Sequence, residues 1–314
     1  IAILLGIIMG NAFTPRPGMM IGLDFTQKYI LKLGIIFLGI RLSFSEFLKF
    51  GSIAIPLIII CIISVLILIK LIIKKVPISS KMSYLIAIGT SVCGATAIVA
   101  IAPVINAKKT EVAYAIANIT LFGVIAMLAY PYFVNIYFYG APMQAGLFLG
   151  TAIHETSQVA AAGLIYDQQF NSPETLNIAT VTKLIRNTFL VILIPLFAFL
   201  YNRGEIKNKN YSILNIFPYF VLGFIGMIIV RNIGDQIFIE NTKNYEMWSN
   251  FIEYIKSLAT IFLTMSMAAV GISINLRELK LMGYKPFIVG FIAALTVGIV
   301  SIICLETFLK LFIS

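Results

Sequence analysis

The chain has 314 residues, of which 60% are hydrophobic and only 11% are charged. A soluble globular domain carries about 25% charged residues, so this composition excludes an ordinary soluble protein and indicates a membrane protein with many spans. The formal net charge is +10. The basic residues lie mainly between apolar stretches, where they orient a membrane protein, and we expect no nucleic acid partner.

The composition offers no cofactor site. Cys61, Cys93 and Cys304 all lie in apolar stretches and do not form a metal-ligand spacing, so neither a metal nor a disulfide is expected. The chain lacks an ATP-binding loop of the G-x-x-x-x-G-K-[ST] kind. An ATP-driven pump would therefore need a partner chain.

Apolar stretches predict an all-α polytopic fold, with residues 1–314 forming a single transmembrane domain. A span needs about 20 apolar residues. Ten stretches come close to this length: 1–13, 25–42, 52–73, 82–106, 111–131, 143–166, 176–201, 212–230, 250–272 and 286–312. The chain begins inside an apolar run without Met, so we expect a further N-terminal segment. Counts of Lys and Arg in the loops place both visible ends outside the cytoplasm.

Two pairs of similar stretches suggest internal repeats. GIRLSFSEFLKFG, from Gly39 to Gly51, resembles GISINLRELKLMG, from Gly271 to Gly283. By the span count the copies have opposite orientation, which predicts the inverted repeat of secondary transporters. GTSVCGAT and GTAIHETS form the second pair, which lies two spans apart and would be parallel. Both pairs fit one inversion only if an intervening segment re-enters the membrane, and the sequence leaves this open.

The second pair also predicts interrupted helices. Residues 89–96 and 150–157 place Gly, Ser and Thr in the middle of apolar segments. Such residues weaken a helix and supply hydroxyls, as expected where a transmembrane helix breaks beside a cavity. We predict a break at Gly94, whose free N–H groups would attract an anion. The alternative is close helix packing through small residues.

HETSQ, residues 154–158, contains the only histidine of the chain. It resembles the H-E-x-x-H zinc signature, but Gln158 takes the place of the second histidine, so a zinc hydrolase is excluded. His154 and Glu155 then favour proton handling or substrate contact. The alternative is a satisfied polar pair that holds two helices together.

TVTKLIRN, residues 180–187, places Lys183 and Arg186 three residues apart on one helix face. An ammonium and a guanidinium together make a good receptor for an oxyanion. The alternative is that both side chains snorkel from a helix end to the membrane surface.

SVCGATAIVAIAPVI, GTAIHETSQVAAAG and TVTKLIRN together resemble the bacterial sulfate exporter family of inner-membrane proteins. LLGIIMGN, KLGIIFLGIRLSFSE and MAAVGISI extend the resemblance over nearly the whole chain. The resemblance implies export of sulfate or a sulfonate-derived anion. It also implies a general plan similar to the cation/proton antiporter and bile-acid symporter superfamily, with inverted repeats and crossing broken helices.

We therefore expect a secondary active transporter of a small inorganic or organic anion, working by alternating access in the bacterial inner membrane. His154 and Glu155 are predicted to carry coupled protons. The predicted substrate-binding residues are Ser91, Cys93, Gly94, Thr96, Thr151, Ser157, Gln158, Lys183 and Arg186. Besides the anion, the expected partners are the lipid bilayer and further copies of the chain in a homo-oligomer.

Two alternatives remain open at this point. In a cation/proton antiporter Glu155 would bind the cation, and Lys183 or Arg186 would be its structural counter-ion. The other alternative is a membrane enzyme or sensor without a transport cycle. The sequence lacks a recognisable catalytic set and a soluble signalling domain, which disfavours the enzyme and the sensor.

Overall fold

The computed structural model of the protein describes residues 2–13, 17–72, 78–201, 219–238, 244–273 and 284–313. Within these ranges the regular structure is entirely helical. The helices are α1 (Ala2–Ala12), α2 (Pro17–Phe25), α3 (Leu31–Leu38), α4 (Phe44–Ile72), α5 (Ser80–Ser91), α6 (Ala95–Ile101), α7 (Lys109–Tyr137), α8 (Pro142–Ala152), α9 (Thr156–Phe170), α10 (Pro173–Thr188), α11 (Leu190–Tyr201), α12 (Phe220–Ile237), α13 (Tyr245–Ser273) and α14 (Tyr284–Ile313).

Among the described residues, six helical stretches are long and apolar enough to cross a membrane by themselves: Phe44–Ile72, Thr110–Tyr137, Pro173–Phe197, Phe220–Ile237, Tyr245–Ser273 and Tyr284–Thr307. The predicted segments 82–106 and 143–166 are instead each divided into two shorter helices. The all-helical membrane class is confirmed, whereas ten continuous segments are not seen in the described residues. Most of the Gly271–Gly283 copy of the first repeat, residues 274–283, lies outside the described residues.

The chain divides into two compact units, and the first contains residues 1–50 and 218–277. Its core includes Ile40, Trp248, Ile252 and Ile255. Trp248 donates its indole N–H to Asp235 at 3.0 Å, so its polar edge is satisfied while its ring packs among apolar side chains.

Glycine allows α1 and α13 to pack closely in this first unit. A Cβ on Gly10 would overlap the carbonyl group of Ile272, and one on Gly6 would overlap the carbonyl oxygen of Ala268. Small residues four apart commonly form such contacts between membrane helices, because apolar surface alone does not drive association in lipid.

The second unit contains residues 51–217 and 278–314. Its interior is formed by α5, α8 and α10, whose buried residues lie on all sides of each helix. A Cβ on Gly146 would lie 2.6 Å from Ile178 Cβ, and one on Gly150 would lie 2.6 Å from Thr182 Cβ. These two glycines therefore bring α8 and α10 close together, and the candidate site depends on that approach.

We predict that Gly10→Ala destabilises the protein by about 1–3 kcal/mol, because the new methyl group meets backbone atoms that cannot move independently. Gly22→Ala is the matched control, since a Cβ there meets nothing within 4 Å. The control should leave stability unchanged or raise it by up to about 1 kcal/mol through helix propensity. Thermal unfolding in detergent measures both, and equal unfolding temperatures would contradict the packing assigned to Gly10.

Candidate functional site

Two helices of the second unit are interrupted, and the interruptions lie against each other. α5 gives way to α6 across residues 92–94, and α8 gives way to α9 across residues 153–155. The Ala95 N–H donates to Glu155 Oε1 at 3.3 Å, which links the two breaks. We call these two connections and the helix ends beside them the junction. The clusters of Gly, Ser and Thr correctly predicted that both helices break.

Gly94 turns the chain in the first connection. Its φ of 68° and ψ of −131° lie in a region that glycine enters freely and other residues rarely adopt. Its N–H donates to Gly89 O at 3.0 Å, which closes the end of α5. A Cβ on Gly94 would also collide with the Glu155 side chain. The position therefore requires glycine for both its backbone conformation and its neighbour.

The second connection contains no glycine and ends α8 by extended backbone. Ile153 and Glu155 have ψ values of 141° and 150°. α9 then begins with Glu155 at the N-cap position, and the Glu155 N–H donates to Gln158 Oε1 at 3.2 Å. Gln158 thus accepts the backbone N–H of Glu155, the N-cap residue of the helix to which Gln158 belongs.

Lys183 on α10 joins the two connections. It is fully buried. Its Nζ donates to Val92 O at 2.8 Å, to Ile153 O at 3.0 Å and to His154 O. An ammonium group has three donors, so all three are engaged with backbone carbonyls in this structure.

Arg186, one turn further along α10, holds the two helix ends in the same way. It is also fully buried. Nε donates to Ser91 O at 2.6 Å, Nη2 donates to Thr90 O, and Nη1 donates to Thr151 O and to Ile153 O at 3.1 Å. A single guanidinium therefore bridges the C-terminal ends of α5 and α8.

These contacts account for carbonyls that a broken helix leaves without partners. The last four C=O groups of a helix have no intrahelical donor, and an unsatisfied group in a membrane costs several kcal/mol. At the end of α5, Ile88 O and Gly89 O accept the N–H groups of Val92 and Gly94. Arg186 donates hydrogen bonds to the carbonyls of Thr90 and Ser91. The partial negative charge of both C-terminal ends also favours the two cations.

The alternative that Lys183 and Arg186 snorkel to a membrane surface is wrong. Lys183 lies ten residues after Pro173 in a candidate span that continues to Phe197. At a rise of about 1.5 Å per residue, it lies roughly 15 Å from the start of that span. With 0% exposure for both side chains, the charges lie deep within the protein.

His154 lies in the second connection with its ring buried to 1% exposure. Neither ring nitrogen has a hydrogen-bond partner among the described residues. A neutral imidazole has one donor and one acceptor, and leaving such groups unpaired costs about 1–3 kcal/mol each. The backbone carbonyl of His154 accepts a hydrogen bond from Lys183, whereas its imidazole ring makes no hydrogen bond with the described residues.

The other predicted site residues differ in their hydrogen-bond partners and in their solvent exposure. Ser91 Oγ bonds Ala87 O at 2.6 Å within its own helix, and Thr151 Oγ1 pairs with Ser301 Oγ on α14 at 2.6 Å. Both are fully buried, and Cys93 is a buried free thiol. Thr96 is exposed and Ser157 is partly exposed. The junction therefore brings the predicted residues together, but with unequal access.

Three further residues contribute to the site, and of these only Asn187, on the same helix face as Lys183 and Arg186, was expected from the sequence. Asn187 Nδ2 donates to Thr156 Oγ1 at 3.0 Å, and Ser301 on α14 supports Thr151. Gly123 on α7 makes room for the amide of Gln158, because a Cβ there would overlap it. The sequence separation of 31 residues or more gave no local signal for these pairings.

The fold and the junction define a polytopic helical membrane protein with interrupted helices that meet at buried charges. The chain belongs to the family described as conserved hypothetical protein 698, which matches residues 1–290.

Relatives in three bacteria are named UPF0324 membrane proteins. The one from Fusobacterium nucleatum is 36% identical, over 96% of this chain and 88% of the relative. Those from Streptococcus agalactiae and Clostridium tetani are 34% and 32% identical, over 96% of this chain and 87% and 86% of the relatives. No solved structure matches the chain. Neither the family description nor these names mention sulfate, so the comparisons support the membrane family and leave its substrate open.

We predict that Lys183→Met destabilises the protein strongly, by about 3 kcal/mol or more, because it leaves three buried carbonyls without a donor. Methionine is also unbranched, is one heavy atom shorter, and lacks the charge and the donors. Lys70→Met is the control, since Lys70 is exposed in the same unit. Size-exclusion profiles and thermal unfolding in detergent test this, and wild-type stability of Lys183→Met would refute the capping role.

We also predict that Gly94→Ala lowers the unfolding temperature more than Gly140→Ala. Both glycines have a positive φ, of 68° and 69°, so backbone strain contributes in both variants. A Cβ on Gly140 meets nothing within 4 Å, whereas one on Gly94 collides with Glu155. The larger shift expected for Gly94→Ala combines that collision with the strain of its ψ of −131°. Equal shifts in thermal unfolding would show that Glu155 moves aside without cost.

Proposed function

We propose that the protein is a secondary active transporter of a small anion, with sulfate or a sulfonate-derived anion as the candidate substrate. In this proposal the anion is exported by alternating access with proton coupling. The junction is its binding site, and the membrane is the bacterial inner membrane. The protein acts as a carrier without enzyme activity or cofactor, and copies of it associate in the bilayer.

The charge balance at the junction carries this proposal. Among the described residues, the junction holds two buried basic side chains, Lys183 and Arg186, and one carboxyl group, Glu155. With all three groups ionised, two positive charges less one negative charge leave an excess of one. The half-helix ends add about −0.5 each at α5 and α8 and about +0.5 each at α6 and α9, which cancel. A small anion would neutralise the excess, whereas a bound cation would increase it.

The cations are proposed to act on the anion mainly through their charge. All three Lys183 donors are on backbone carbonyls in this structure. Direct hydrogen bonds to the anion are therefore assigned to other groups of the junction, foremost the hydroxyl of Ser157 and the amide of Gln158 in the first turn of α9. A helix N-terminus suits this role, because its N–H groups have no intrahelical acceptor.

His154 is proposed to take part in proton coupling together with Glu155. Its buried ring nitrogens have no partner among the described residues, which favours contact with water, a proton or the substrate during the transport cycle. Thr96 is proposed to contact the anion at the accessible side of the junction. Ser91, Thr151 and Cys93 would line the site, while Gly94 gives the anion close access to the backbone.

The proposed architecture has ten spans in an inverted repeat. Six are the continuous spans, two are the interrupted pairs α5–α6 and α8–α9, and two are the helical stretches before α4. Broken helices whose ends face a central site are the usual arrangement by which secondary transporters bind ions inside the membrane.

Ser157→Asp tests the charge argument without removing a cation that holds the helices. An aspartate in the first turn of α9 favours helix formation, so the variant is expected to fold. It would offset the positive excess and weaken sulfate binding at least tenfold, which is about 1.4 kcal/mol. Ser157→Asn removes the hydroxyl without adding charge, so the difference between the variants measures the charge effect. Labelled sulfate uptake into proteoliposomes gives both values.

The same proteoliposomes separate anion transport from cation exchange. Saturable sulfate flux that follows an imposed pH gradient would support the proposal. If sulfate does not move, but a pH gradient collapses when Na⁺ or K⁺ is added, the protein is a cation/proton antiporter. In that case Ser157→Asp should bind the cation more tightly than the wild type.

A further inference from the structure

The Glu155 carboxylate lies where an anion would bind. It stands at the N-cap of α9, a helix of 15 residues, and its Oε1 accepts the Ala95 N–H at 3.3 Å. N–H groups at a helix N-terminus favour negative charge, whether it belongs to a ligand or to a side chain. In this structure the Glu155 carboxylate supplies the negative charge.

The space for this carboxylate is built into the other broken helix. A Cβ on Gly94 would collide with Glu155 Cγ, so the first connection leaves room for the glutamate side chain. Glu155 is also only partly buried, unlike the two cations beside it. Glu155 therefore keeps some solvent contact, which Lys183 and Arg186 lack.

An independent observation, an unpaired buried donor, lies beside the Glu155 backbone. Gln158 is 1% exposed, and its Nε2 has no hydrogen-bond partner among the described residues. Its Oε1 is held by the Glu155 N–H at 3.2 Å, which fixes the amide at the first turn of α9. Gly123 leaves the space in which this amide lies. A buried donor held without an acceptor points to an acceptor that arrives during the cycle.

The charged and titratable groups around Glu155 come from the neighbouring elements. α10 contributes Lys183 and Arg186, the second connection contributes His154, and the first contributes Cys93. Neither α6 nor the Gly123 region of α7 supplies a charged group among the described residues. Glu155 is thus the negative group that a second anion would meet there.

We infer that Glu155 is a tethered competitor of the transported anion. The ionised carboxylate occupies the position of the anion at the junction, where it accepts the Ala95 N–H, and the anion enters when Glu155 takes up a proton and leaves this position. This inference rests on the anion transport proposed above and assigns its coupling step. One proton accompanies each anion because a single carboxylate is displaced.

Competition with one carboxylate has a defined signature in binding experiments. For the purified full-length chain in detergent, sulfate affinity of the wild type should fall tenfold per pH unit wherever Glu155 is ionised. Glu155→Gln should bind sulfate at least tenfold more tightly than the wild type at pH 8, with no such pH dependence. Sulfate-dependent shifts of the thermal unfolding temperature report the affinities.

Two further variants serve as controls. Glu174→Gln removes an exposed carboxylate from the first turn of α10 and should match the wild type. Glu155→Asp keeps the charge and a good N-cap side chain, but is one methylene shorter and loses the Ala95 contact. It should bind sulfate more tightly than the wild type at pH 8 and retain a pH dependence. This variant keeps the test available if Glu155→Gln does not fold.

Loss of sulfate binding in Glu155→Gln, or an unchanged pH dependence, would overturn the inference. If neither protein responds to sulfate, the substrate proposed above is wrong, and chloride, nitrate and phosphate replace it as probes. A response to one of these in Glu155→Gln that is weaker in the wild type supports the tethered competitor with another anion. If no probe distinguishes Glu155→Gln from the wild type, the competitor role is refuted.

Discussion

The second unit depends on the hydrogen bonds that Lys183 and Arg186 donate to the ends of α5 and α8. A helix that stops inside a membrane protein exposes carbonyls that lipid cannot satisfy. Here two side chains of one helix satisfy carbonyls of both interrupted helices. The same two groups bring positive charge into the interior of the second unit, so the residues that satisfy the broken helices also create an electrostatic site. Structure and proposed function therefore share their most important residues.

The two sides of the junction have complementary chemistry. The C-terminal ends of α5 and α8 meet cations, whereas Glu155 lies at the start of α9 and accepts the Ala95 N–H. The cations are fully buried and donate several hydrogen bonds each, whereas the Glu155 residue is partly exposed and its carboxylate accepts the Ala95 N–H at 3.3 Å. Under the proposed function, the side with the two cations keeps its structure, and the side with the carboxylate is where the anion enters and leaves. An anion carrier needs both, because its site must persist while its contents change.

Close packing of the helices allows the hydrogen bonds of the junction to form. Gly146 and Gly150 let α10 approach α8, so that Arg186 lies within hydrogen-bond distance of the α8 terminus. Gly94 and Gly123 then make room for the side chains of Glu155 and Gln158. Polar contacts inside a membrane need such glycines, because each donor has to come within about 3 Å of its acceptor while the helices remain in contact. The small residues thus position the charged ones.

The sequence by itself determined the helical membrane class, predicted breaks in the segments that contain Gly94 and His154, and singled out Lys183 and Arg186 as candidate site residues. Hydrophobicity, helix-weakening residues and charged residues within apolar segments are local properties, so they are visible in the sequence. Only the tertiary structure decided what those charges contact. The partners of Arg186 lie 33 or more residues away in sequence and are backbone carbonyls. Every residue carries such a carbonyl, so no sequence pattern marks the ones left free, and the bonds appear only when two broken helices are packed against a third.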